Sequence, residues 1–167
     1  MSRTRKIKFD LSDRSIKEAI QEIEVEINRL HQIEIDIITK LTLTGKLLIM
    51  QNIFKYKVID EGLLMDSIMT TIGKNEGRIW ISAPHGVFVE YGTGVVGAGA
   101  DGDPPHPNKP PDWIYDSTER GESGWVYYDE RYGYAWTRGQ PAKPFFWDSY
   151  LQLRNRAKTI AREELRR

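Results

Sequence analysis

The chain has 167 residues, a length that suits one domain with one hydrophobic core. Its 24 basic and 24 acidic residues cancel, so no global field draws it onto nucleic acid. It has no cysteine, which excludes disulfides and thiolate chemistry. Apolar residues make up 40% and charged residues 29%, a balance typical of soluble globular chains. No apolar run approaches the ~20 residues that span a bilayer, and the basic N-terminus lacks the apolar stretch of a signal peptide. The expectation is synthesis in the cytoplasm and no membrane partner.

Residues 5–9 alternate in polarity and predict a short strand. Ser15 and Glu18 stand at capping-box spacing, and Ser12 or Asp13 is an equally good cap. Apolar residues then recur at Ile16, Ala19, Ile20, Ile23, Ile27, Leu30, Ile33, Ile37, Ile38 and Leu41, which is helical spacing. This helix is expected to reach about Phe54, with a bend near Thr44 and Gly45. Forty residues amount to ~60 Å of helix, more than a compact domain of this size needs. Part of it is therefore expected to project or to pack on another subunit. Asp60 is placed to cap a second helix carrying Leu63, Leu64, Ile68 and Ile72 inward. Residues 73–77 read as a turn and 78–82 as a strand, while 87–91 fit either one helical turn or a strand.

Residues 92–124 hold seven of the 14 glycines and five of the eight prolines, with few aliphatics. A loop of that length in a compact domain is functional or disordered. Residues 125–129 and 134–137 read as a hairpin around a turn at 130–133. A last helix is expected from about Pro144 to the terminus, its Phe145, Phe146 and Trp147 anchored on the sheet. The expected fold is α+β. A long N-terminal helix and a C-terminal helix pack on a small, mainly antiparallel β-sheet, with a long Gly/Pro-rich loop. The division is one domain over residues 1–167. Residues 1–57 form a helical arm, and 58–167 form an α+β core containing the loop 94–124.

Signals for chemistry are weak. Residues 97–102 match G-x-G-x-x-G, but Pro104 and Pro105 follow where a dinucleotide site needs a helix N-terminus. Asp101, Asp103 and His106 lack the further ligands that calcium or zinc require, and a solvated acidic loop explains them as well. No metal and no cofactor is expected, and no catalytic residue. Glu90 is the one carboxylate set among apolar residues, without an evident second carboxylate for glycoside hydrolysis. Its simplest role is a buried acceptor of N–H bonds from the turn at residues 92–94. The last helix carries Arg154, Arg156, Lys158 and Arg162, either as subunit-facing charge or as the lining of a DNA channel. Of the 18 aromatics, 12 lie between Trp113 and Tyr150, a density that suits a protein–protein interface.

Three segments carry a family resemblance. Residues 59–68 hold Asp-Glu-Gly-Leu followed by Ser-Ile; residues 87–93 read Val-Phe-Val-Glu-Tyr-Gly-Thr; residues 140–146 read Gln-Pro-Ala-Lys-Pro-Phe-Phe. In this order and spacing the chain resembles the neck or tail-completion proteins of tailed bacteriophages. It departs from them in Val87 and Phe88 and in a longer loop at 94–138. The resemblance implies a structural virion protein that forms a ring at the head-proximal end of a phage or phage-like tail. There it would complete the tail and join it to the head connector. It implies a homo-oligomer, hexameric by preference and dodecameric as the alternative. The tail terminator, tail tube and head-connector proteins would be its neighbours, with passive contact to DNA in the channel. The residues expected to form turn and interface are Glu90, Tyr91, Gly92, Thr93, Gly94, Pro141, Ala142, Pro144, Phe145 and Phe146. The reading from another class is a DNA-binding accessory protein that uses the basic C-terminal helix. A small hydrolase centred on Glu90 is the third.

Overall fold

The computed structural model describes residues 7, 10–58, 62–115, 123–129 and 132–167. The elements in chain order are α1 (Asp13–Lys55), α2 (Leu63–Asp66), β1 (Ile68–Ile72), β2 (Gly77–Ile81), α3 (Gly86–Tyr91) and α4 (Gly94–Gly97). Then come β3 (Trp125–Asp129), β4 (Gly133–Thr137), β5 (Gly139–Gln140) and α5 (Phe145–Glu164). This is the expected α+β class. The proposed strand at 5–9 and the Asp60 cap lie outside the described residues.

Helix α1 is capped by Ser12, whose hydroxyl accepts from the Ser15 N–H, while Ser15 Oγ accepts from the Asp10 N–H. The helix runs on through Gly45 to Lys55, as expected from its sequence. A Cβ at Gly45 would lie 2.6 Å from Ile79 and 3.1 Å from Leu153, so this glycine lets β2 and α5 approach the helix closely. Helix α5 lies along the C-terminal half of α1. Asn52 Nδ2 donates to Ser149 Oγ, Tyr56 Oη donates to Asp148, and at the other end Lys40 reaches Glu163 and Glu164. Glu164 is buried and also receives Arg167. The resulting order is antiparallel, and the main support of α5 is α1 rather than the sheet.

The expected second helix is one turn only. It ends at Asp66, and Ile68 and Ile72 belong to β1, paired antiparallel with β2 from Ile68 opposite Ile81 to Ile72 opposite Gly77. The β-branched run Thr70-Thr71-Ile72, followed by the 73–76 turn, favours a hairpin over a longer helix. Strands β3 and β4 form a separate two-stranded sheet, with Val126 opposite Trp136. The single small sheet expected from sequence is thus two hairpins. Residues 87–91, left open between helix and strand, are helical, within α3.

The core is compact, and five elements make it, α1 among them: Ile49, Ile53, Leu64, Ile68, Val89 and Phe145. The molecule exposes 12221 Å². A compact monomer of 19.3 kDa is expected to expose about 8,500 Å². Among the described residues, large apolar side chains stand exposed on the N-terminal half of α1 and on the β3–β4 hairpin. There Tyr128, Tyr134 and Trp136 are 64, 83 and 59% exposed.

Phe145 is 1% exposed and is the one aromatic ring among the buried residues of this core. Phe145→Ala is expected to destabilise the protein by about 3–5 kcal/mol through lost burial and the cavity left behind. A thermal melt should show its midpoint lowered by on the order of 10 °C.

Candidate functional site

The two glycine- and proline-bearing segments singled out in the sequence meet in space. Residues 93–94 bridge antiparallel to residues 139–140, Thr93 opposite Gln140 and Gly94 opposite Gly139. The Gln140 N–H donates to Thr93 Oγ1, the Gln140 side-chain amide to the Phe88 carbonyl, and the Lys143 N–H to the Val89 carbonyl. The backbones cross too closely for a side chain at the crossing. Gly92 has φ 77°, and a Cβ there would sit 2.7 Å from the Ala142 nitrogen. Gly139 has φ 109°, and its Cβ would sit 1.9 Å from the Thr93 carbonyl oxygen. Both the positive φ and the contact demand glycine.

Glu90 is the centre of this junction. Its Oε2 accepts from the Phe146 N–H at 2.8 Å, and its Oε1 accepts from the Trp147 N–H at 2.9 Å. These are otherwise unsatisfied amides in the first turn of α5, where Pro144 offers no capping side chain. A carboxylate 56 residues earlier in the chain therefore caps the helix. This corrects the expectation that Glu90 serves its own turn at residues 92–94. Those residues are satisfied elsewhere, Gly92 donating to the Phe88 carbonyl and Gly94 to the Tyr115 carbonyl.

Sequence reasoning missed the partner of Glu90. His106 Nε2 lies 3.0 Å from Glu90 Oε1, and both residues are buried. The Asn108 N–H donates to His106 Nδ1, so that nitrogen is unprotonated and the proton sits on Nε2, facing Glu90. Glu90 thus receives three N–H donors at the positive end of a helix dipole. Burial nevertheless raises its carboxyl above the ordinary carboxylate range, against the pull of the two amides and then of His106. Aromatics close over the pair. Tyr91 meets His106 edge-on at 4.6 Å and Trp113 at 5.1 Å, Phe88 lies 5.7 Å from Trp113, and Trp147 lies 6.4 Å from His106. The first half of the long loop is in this way fastened to α3. Its second part, residues 116–122, lies outside the described residues.

All four oxygen and nitrogen atoms of the Glu90–His106 pair are engaged within the chain. Glu90 accepts three bonds in all, two at Oε1 and one at Oε2, and both ring nitrogens of His106 are engaged. Of the trio weighed as metal ligands, His106 turns to Glu90 while Asp101 pairs with Arg138 at 3.1 Å. Among the described residues no three His, Asp or Glu converge on one point. Pro141, Ala142 and Pro144 line a cleft of about 340 Å³ together with Tyr56 and residues 103–107. Beside Glu90 and Tyr91 a second cavity of about 420 Å³ is walled by Ile79, Ile81, Val87 and Phe146. Arg154, Arg156, Lys158 and Arg162 are exposed, and the first, third and fourth form one row at four-residue spacing along α5. Comparisons with protein-family models, with curated proteins and with solved structures return no match to this chain.

Glu90→Ala leaves three buried donors unpaired, each loss costing about 1–3 kcal/mol. The expected result is a large loss of thermal stability with release of the 98–115 segment, read as new proteolytic cleavage there. Glu90→Gln, which can accept through one oxygen only, is expected to fall between wild type and Glu90→Ala in the same melts.

Proposed function

We propose that the protein is a structural component of a phage or phage-like virion. In this reading copies form a ring, hexameric by preference, at the head-proximal end of the tail. The ring completes the tail and joins it to the head connector, with tail-terminator and tail-tube proteins as neighbours. It carries out no catalysis. It is made in the host cytoplasm and works in the neck of the particle.

The observation that carries the reading is the split between a tightly fastened junction and large uncovered surfaces. The segments that resemble the neck family, residues 87–93 and 140–146, are the ones that build the Glu90 junction. They form a frame within one copy. Outside it stand an overlong helix and an aromatic hairpin with little to cover them in a single chain. A two-stranded hairpin is marginal alone, and exposed Tyr and Trp are favoured anchors at protein interfaces. Ring contacts between identical subunits use two different patches of each copy, which these two surfaces supply.

One feature favours the second reading, a DNA-binding accessory protein. The exposed row of Arg154, Lys158 and Arg162 has the four-residue spacing that lays positive charge along one line of a helix. In the ring this row would line the channel and touch passing DNA.

Deletion of the gene from its phage or prophage tests the proposal. The expected result by electron microscopy is separate DNA-filled heads and tails, or tails with aberrant ends, restored by supplying the protein. Joined, infectious particles without it would overturn the neck role.

A further inference from the structure

We infer that the N-terminal half of α1 is a coiled-coil seam, by which three or more copies of this chain join through parallel arms. Near its C-terminal end helix α5 meets Lys40 of α1 through Glu163 and Glu164, and Ile33 is still buried. Residues 13–32 run on beyond, about 30 Å of helix at 1.5 Å per residue. On this stretch Ile16, Ile20, Ile23, Ile27 and Leu30 are each 36 to 50% exposed. Their spacing alternates four, three, four and three. That is the 3.5-residue repeat of a coiled-coil seam, with Ile20 and Ile27 at a positions and Ile16, Ile23 and Leu30 at d positions. The next a position is Glu34, which is exposed and ends the seam where the arm meets the body.

The side chains choose the occupant. A seam with isoleucine at both a and d disfavours the two-stranded form and favours three or more strands. Parallel alignment stacks all five residues on their own copies. Either antiparallel stagger matches only four, setting Glu34 opposite Ile16 or Asp13 opposite Leu30. The stagger that keeps Leu30 also brings Glu24 against Glu24 and Glu26 against Glu26, like charges that repel. In the parallel form Glu26 faces His31 of the next copy and Glu24 faces Ala19, with no like-charge contact at these flanking positions. Cyclic assemblies of three or more copies hold their arms parallel by symmetry, so the seam and the ring agree in direction.

The inference deepens the assembly reading, and its failure is separable from failure of that reading. The full chain lacks cysteine, so single cysteines report cleanly. Ile23→Cys at a d position is expected to give a covalent dimer on mild oxidation, whereas Gln21→Cys on the outer face is not. By sedimentation, wild type at high concentration should have a mass of roughly three chains or more. Ile20→Glu with Ile27→Glu should reduce it to one chain, with helix content retained by circular dichroism because both positions are exposed. An oligomer that survives the double substitution would keep the ring and overturn the seam. A wild-type monomer at every concentration, or equal cross-linking of the two cysteine variants, would also overturn it.

Discussion

The Glu90 carboxylate is the contact on which the rest of the body depends. It joins three parts of the chain at one point: the short helix α3, the first turn of α5 and the loop carrying His106. A helix that starts directly after Pro144 has no side-chain cap of its own. Supplying that cap from α3 fixes where α5 begins, and so fixes the register of α5 on α1. The position of Phe145 in the core follows from the same contact, since the neighbouring amides of Phe146 and Trp147 are the ones held.

The cost of this arrangement is a buried charge. Three N–H donors, a helix dipole and an aromatic cover offset it. The glycines at the crossing of residues 92–94 and 139–140 are part of the same solution, because only bare backbones can cross at that separation. Once the junction is closed, it leaves little freedom for chemistry and a rigid frame for contacts. The uncovered surfaces lie away from it, on the arm of α1 and on the β3–β4 hairpin. In the proposed assembly role, the open faces would carry the contacts between copies.

Much of the fold was legible in the sequence because periodicity and punctuation agree there. The α1 repeat, the Pro144 start of α5 and the β3–β4 hairpin each rest on local chemistry, while Ser15, Ser12 and Asp13 were equal candidates for the cap that Ser12 supplies. The misses have local causes as well. Ile68 and Ile72 fit a helical stripe as well as a strand, and only pairing with β2 decides between them. Gly45 suggested a bend, but its role as a close-approach site was not legible, because its partners Ile79 and Leu153 come from distant segments. The role of Glu90 was half legible. Its burial showed in its apolar neighbours. Its donors, 56 and 57 residues away, and His106, within a proline-rich stretch, gave no periodic signal. A single buried carboxylate near a helix start that lacks a cap is the clue that could have linked them.

Hydrogen exchange of the free subunit, resolved by residue, tests the central claim most directly. The claim is that a junction closed within one copy leaves the arm and hairpin for partners. The account predicts that the Phe146, Trp147, Lys143 and Asn108 amides exchange only on global unfolding. Amides of residues 13–32 and of β3 and β4 should exchange far faster in dilute solution and slow as concentration rises. Junction amides exchanging as fast as those of the arm would contradict it.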